Sequence, residues 1–183
     1  MNPDLILNDI ESLSRKNFLP IIGPVKGKFL ATAIKKYKVK KILEVGTLVG
    51  YSSILMAKHL PKEGKIFTIE INRKSAKIAE DNIKKAGLSE KIRVIVGDAK
   101  KIIPKLKEKF DMLFIDAVKE DYLEYLKLAE NKLNKGCIVL ADNAKIFANE
   151  MNDYLEYVRN SGRYKSSLLD AGFDGVEFSI RLD

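Results

Sequence analysis

Tryptophan is absent from this chain, and cysteine and histidine occur once each, as Cys137 and His59. A single cysteine excludes an internal disulfide and suits a reducing compartment, so a cytoplasmic location is expected. Cys137 opens an apolar run and reads as a small core hydrophobe. One histidine, late in a helical stretch before Pro61, gives little support to a histidine base or a His-rich zinc site. No apolar run exceeds strand length, so no membrane span is expected. The opening Met1-Asn-Pro-Asp-Leu5 lacks the basic-then-apolar order of a secretory leader. No Gly-x-Ser-x-Gly elbow and no Gly-Lys-Ser/Thr phosphate loop is present, which argues against hydrolase and ATPase chemistry. No internal repeat and no Pro/Gly/Ser-rich linker divides the sequence. One domain over 1–183 is expected, with 1–20 as an N-terminal helical extension.

What is present is a globular composition, 46% hydrophobic and 32% charged, in 183 residues, enough to bury a core. The net charge of +8 has two readings. Lysines neutralise phosphates, which would suit an RNA partner. The same lysines are scattered and mixed with glutamate, as in Lys105-Leu-Lys-Glu-Lys109, which also describes a thermophile-like surface.

Periodicity alternates helix and strand along most of the chain. Asn2–Lys16 has helical spacing, Phe18–Pro24 is rich in breakers, and a helix is expected over about 25–37. Strands are expected at Lys41–Val45, Lys65–Glu70, Arg93–Val96, Met112–Ile115 and Gly136–Ala141. Helices fall between them at Tyr51–His59, Arg73–Lys85, from Ala99 until Pro104 interrupts, and Glu120–Lys132. After a helix near Glu150–Arg159, the segments Tyr164–Asp170 and Gly175–Leu182 read as a hairpin about Asp174-Gly175. The predicted fold is a doubly wound, Rossmann-like α/β sheet of seven strands, mostly parallel with an antiparallel C-terminal hairpin.

The first βαβ unit carries the most information. Ile42-Leu-Glu-Val-Gly46 enters a turn that opens a helix, and Phe67-Thr-Ile-Glu70 ends the next strand in an acid placed to hold a ribose. A dinucleotide turn needs Gly-x-Gly-x-x-Gly, yet Leu48 stands two residues after Gly46 and the next glycine is Gly50. A cofactor with a ribose and no phosphates, such as S-adenosylmethionine, fits this turn better than NAD or FAD.

Ligands of open α/β sheets sit at the carboxyl ends of the strands. There the sequence places Glu44 with Gly46, then Glu70, Gly97-Asp98-Ala99, Asp116 with Lys119 beyond it, and Asp142-Asn143. Asp98, Asp116 and Asp142 each have a second reading as helix N-caps. Asp116 with Asp142-Asn143 would set three oxygen donors on adjacent strands, a set for a hard cation such as Mg²⁺, with Mn²⁺ or Ca²⁺ as substitutes. Lys119 falls in the first turn of a helix, against the macrodipole. It reads either as a surface lysine or as a general base whose pKa a nearby cation would lower. The tyrosines at 122, 125, 154 and 157 fall at helical spacings and read as packing.

Taken in order, these motifs resemble the cation-dependent O-methyltransferases, the group that contains the catechol and caffeoyl-CoA enzymes. The resemblance runs from about Ile22 to Asn143, roughly two-thirds of the chain. Ile22-Gly-Pro-Val-Lys-Gly27 is similar to the family segment whose backbone touches the methionine part of the cofactor, and Glu44-Val-Gly-Thr-Leu-Val-Gly-Tyr-Ser52 to its cofactor turn. The resemblance therefore implies S-adenosylmethionine contacts at Ile22, Glu44, Gly46, Tyr51, Ser52, Glu70, Gly97, Asp98, Ala99 and Asp116. It implies metal ligands at Asp116, Asp142 and Asn143, and a catalytic lysine at Lys119. Ala117 and Val118 depart from the bulky aromatics of the mammalian catechol enzymes, and the N-terminal part and the chain after Asn143 are brief. Those regions build the substrate lid in relatives. The acceptor is expected to be a catechol-like small molecule with vicinal oxygens. A 5-hydroxyuridine in tRNA is the alternative, and a non-catalytic S-adenosylmethionine-binding module a second. The resemblance also implies a homodimer.

Overall fold

The computed structural model describes residues 2–183. Its strands are β1 (Lys41–Val45), β2 (Lys65–Glu70), β3 (Ile92–Val96), β4 (Phe110–Ile115), β5 (Leu133–Ala141), β6 (Tyr164–Asp170) and β7 (Gly175–Arg181). They form one sheet in the order β3-β2-β1-β4-β5-β7-β6. The first five pair in parallel, and β7 runs antiparallel between β5 and β6. The expected mostly parallel sheet with a closing antiparallel hairpin is what forms. The chain winds outward from β1 to β2 and β3, then returns to lay β4 on the other side of β1. That reversal opens a crevice between the carboxyl ends of β1 and β4.

The helices are α1 (Pro3–Asn17), α2 (Gly23–Lys36), α3 (Tyr51–His59), α4 (Arg73–Lys85), α5 (Ala99–Ile102), α6 (Tyr122–Glu130) and α7 (Asn152–Asn160). Strand alternation sorts the core into two layers. Ile42, Ile66, Met112, Phe114, Ile138 and Leu140 face α1, α2, α3 and α4, which bring Ile10, Leu30, Ile34, Ile54 and Ile83. Leu43, Ile69, Leu113, Ile115 and Val139 face α5, α6 and α7, which bring Tyr122, Leu126, Tyr154 and Val158. Burying each such side chain contributes about 1.5–3 kcal/mol before conformational entropy is set against it. The N-terminal helix belongs to this core: Ile6, Leu7 and Ile10 are buried, and the Asn2 side chain caps it by accepting from the Asp4 amide.

Several boundaries differ from the sequence reading for local reasons. Helix α2 starts at Gly23 because Pro24, in the first turn, has no amide to leave unsatisfied. The helix expected over Glu120–Lys132 begins instead as a 3₁₀ turn at Lys119–Asp121 and ends at Glu130. The stretch from Ala99 is a single α-turn followed by a 3₁₀ turn at Ile103–Lys105, where Pro104 removes a donor. Strand β4 extends back to Phe110 and β5 back to Leu133, since these two residues pair with each other. No helix among the described residues is long and apolar enough to cross a membrane.

Candidate functional site

A cleft of about 650 Å³ lies over the carboxyl ends of the parallel strands, within the size range of small-molecule sites. Its walls include Ile22, Gly46, Tyr51, Ser52, Glu70, Gly97, Asp98, Ala99, Asp116, Lys119, Asp142 and Asn143. These residues come from the N-cap of α2, the first turn of α3 and the carboxyl ends of all five parallel strands or just beyond them, so the topology brings them together.

Glu44 is the one sequence-selected residue outside the lining. It is the penultimate residue of β1 and shares a face with Ile42, so it points under α3. Fully buried, it accepts from the Ser52 hydroxyl at 2.5 Å and from the Ser53 hydroxyl. Burial pushes its carboxyl up to about 7, against the lowering effect of the Ser52, Ser53 and Thr68 hydroxyls. Glu44 thus ties the strand to the helix behind the turn. Ser52 and Tyr51 line the cleft, but their hydroxyls face away from it, toward Glu44 and, at 2.7 Å, toward Glu11 of α1.

The turn after β1 explains the missing glycine. Gly46 has φ +97°, and a Cβ there would stand 2.0 Å from the Asp116 carbonyl oxygen. Only glycine lets β1 and β4 approach so closely at the switch point. The Thr47 and Leu48 amides, which could have bound a phosphate, instead donate to Glu70 Oε2 at 3.2 and 2.8 Å. Glu70 Oε1 accepts from the Asn72 amide at 2.8 Å. The anion in this turn is supplied by the protein itself, and the lone pairs left on Glu70 can accept from hydroxyls. Asp98 lines the cleft and also caps α5, accepting from the Lys100 amide at 2.9 Å.

At the other end of the cleft stand Asp116, Asp142 and Asn143. The Asp142 amide donates to the Ile115 carbonyl at 3.0 Å, and the Asp116 amide to the Val45 carbonyl at 2.9 Å, so sheet ladders fix both backbones. Neither aspartate caps a helix. The Lys119 ammonium lies 3.0 Å from Asp116 Oδ1 and donates to the Tyr122 hydroxyl at 2.7 Å. It sits 5.0 Å from the centre of the Tyr122 ring and 5.9 Å from that of Phe147. Tyr122, fully buried, in turn donates to the Asp142 carbonyl at 3.4 Å. Read from spacing as a packing residue, it both packs, edge-on to Tyr154, and holds Lys119.

The sequence reading missed two residues here. Lys26, on the first turn of α2, places its ammonium 2.7 Å from both oxygens of Asp142, with hydrogen-bond geometry met only at Oδ2. Asp174, in the turn before β7, accepts from Lys26 and from Asn143 Nδ2, each at 2.7 Å. Lys26 belongs to the Ile22–Gly27 segment, but nothing in its spacing marks it. Asp174 had a usable signal: an antiparallel neighbour of β5 must begin at the rim where β5 ends. Burial and the charge of Asp116 push the Asp142 carboxyl up, and Lys26 opposes them.

Among the described residues no cluster of three or more His, Cys, Asp or Glu side chains is gathered as a metal cage. The oxygen set is two carboxylates and an amide. Asp142 Oδ1 is buried and accepts no hydrogen bond, and the Lys26 ammonium stands 2.7 Å from it. A cation already lies against this carboxylate, and carboxylate and amide oxygens are hard donors, so the residues present fit a hard cation.

The sequence profile of the O-methyltransferase family matches residues 4–158. The chain is 41% identical to a catechol O-methyltransferase of Niastella koreensis, over 76% of this chain and 66% of that protein. It is 34% identical to catechol O-methyltransferase B of Danio rerio, over 99% of this chain and 73% of that one. Among solved structures, the O-methyltransferase of Bacillus cereus in complex with SAH superposes with a TM-score of 0.86 at 27% identity, covering 96% of this chain and 90% of that one. The O-methyltransferase TomG of Streptomyces achromogenes, involved in tomaymycin synthesis and bound to SAM, gives 0.86 at 28% identity, covering 97% and 90%.

Proposed function

This chain belongs to the O-methyltransferase family, and on that premise we propose that it moves the sulfonium methyl of S-adenosylmethionine to a hydroxyl of a small, catechol-like acceptor bearing two adjacent oxygens. The cofactor would lie along the Gly46 turn, with Glu70 toward the ribose and Gly97, Asp98 and Ala99 toward the adenine. Asp116, Asp142 and the Asn143 amide would hold a divalent cation, Mg²⁺ or in its place Mn²⁺ or Ca²⁺. Such a cation, when bound, orients an oxygen acceptor and lowers its pKa. The observation that carries this reading is the buried Asp142 carboxylate at the strand end beside Asp116, whose Oδ1 accepts no hydrogen bond and faces the Lys26 ammonium.

Lys119, as the neutral amine, is the group placed to take the acceptor proton. Asp116 and Tyr122 hold the ammonium that results at the cleft wall, with no histidine among the residues that line it. Much of the remaining rate would come from proximity. Holding nucleophile and methyl in line lowers a barrier by about 7–11 kcal/mol at the upper range of effective molarities.

The lining also bears on the class of acceptor. Glu70, Asp98, Asp116, Asp121 and Asp142 stand against Lys26, Lys100 and Lys119, and each of those ammonium groups is already paired with a carboxylate of the chain. The cleft therefore offers no unpaired ammonium for a phosphate backbone, which suits a small molecule better than tRNA. The test is labelled methyl transfer from S-adenosylmethionine to a catechol panel and to unmodified tRNA in parallel. Label is expected in a catechol and not in tRNA. Label in tRNA alone would replace the small-molecule reading with RNA modification, and tight cofactor binding without transfer to any acceptor would favour a binding module.

A further inference from the structure

We propose that Asp174, with Lys26, is a positioning residue that sets the Asn143 amide and the Asp142 carboxylate for the cation, an inference that rests on the metal reading above. Three segments far apart in sequence meet here: the first turn of α2, the end of β5 and the turn into β7. Asp174 is buried, and its Oδ2 accepts from Asn143 Nδ2 and from Lys26 Nζ, each at 2.7 Å.

The first consequence concerns which end of the amide is presented. An ionised carboxylate only accepts, so Asn143 must turn its NH₂ to Asp174. The carbonyl oxygen, the only end of an amide that ligates a hard cation, then points elsewhere. The backbone supports the same arrangement. Asn143 has φ +65°, a conformation asparagine tolerates, which lets the chain turn directly after Asp142.

The second consequence concerns Lys26. Its ammonium stands 2.7 Å from both oxygens of Asp142 and 2.7 Å from Asp174 Oδ2, so two carboxylates share its charge. Without Asp174, that charge would fall on Asp142 alone and compete more strongly with a cation for it. Asp174 therefore draws part of the lysine's charge away while the lysine holds the carboxylate in place. Groups that orient metal ligands in this way typically change metal affinity by about 10–100-fold when lost.

The experiment is Mn²⁺ binding to the full chain by electron paramagnetic resonance, for wild type, D174A and D174N, with melting temperature and S-adenosylmethionine affinity measured alongside. D174A is expected to weaken Mn²⁺ binding by about 10-fold or more, with cofactor affinity kept. D174N retains an acceptor for Asn143 Nδ2 and is expected to recover a large part of the loss. Wild-type binding matched by D174A overturns the positioning role and leaves the metal reading standing. Equal losses in D174A and D174N also overturn it, since charge alone would then account for the effect. A wild type that binds no Mn²⁺ overturns the metal reading and this inference together.

Discussion

Lys119 is the residue on which the chemistry turns, and its surroundings show how a lysine can stand at this place. It is the first residue of a 3₁₀ turn, where a cation opposes the local dipole, and Asp116 and the Tyr122 hydroxyl hold it there. Removing the ammonium should cost turnover and leave the cofactor end of the cleft intact. For K119A, cofactor affinity measured by calorimetry should match wild type, while kcat falls by about 10²–10⁴, the usual contribution of a positioned base. Unchanged turnover would remove Lys119 from the mechanism.

Among the elements, the β1–turn–α3 unit shows how one buried acid can couple the fold to pH. Glu44 sits beneath α3 with only the Ser52, Ser53 and Thr68 hydroxyls and the charge of Asp116 nearby, and burial raises its carboxyl to about 7. The folded state thus favours the protonated form. Its contribution is fully present below the ordinary carboxylate range and is lost as pH rises through about 7. At about 1.4 kcal/mol per pKa unit, the loss is on the order of 3 kcal/mol. The variant E44Q should flatten the decline in melting temperature between about pH 5 and 8, and should be at least as stable as wild type at the upper end. A slope identical to wild type would show that Glu44 is not the titrating group.

This same unit marks the limit of what the sequence disclosed. Strand β2 and helices α3 and α4 were legible to the residue, because apolar alternation and the stop at Gly87 are local signals. The reach of Glu44 was not. Motif resemblance groups it with the cofactor turn, and its bonds to the Ser52 and Ser53 hydroxyls under α3 come from strand parity, which no motif states. Lys26 and Asp174 were missed for a related reason. Their importance arises from the contacts of Lys26 with Asp142 across 116 positions of sequence and with Asp174 across 148, which no local pattern encodes. Tyr122 was half legible: spacing reveals a buried ring, but not that its hydroxyl faces Lys119.

At the scale of the whole molecule, the net charge of +8 and the acidic cleft are separate features. The lysines are scattered over helix surfaces, turns and strand ends, while the switch point between β1 and β4 gathers carboxylates from neighbouring strand ends. The doubly wound topology places a cofactor turn and an oxygen-donor cluster in one cleft, and the antiparallel return of β7 adds Asp174 to the same rim. The measurement that bears most directly on this arrangement is the initial rate of methyl transfer to a catechol, with EDTA present and as Mg²⁺ is titrated back. Saturable restoration by Mg²⁺ from a near-zero rate in EDTA is the expected result. A rate in EDTA equal to that at saturating Mg²⁺ would contradict a metal role for Asp116, Asp142 and Asn143.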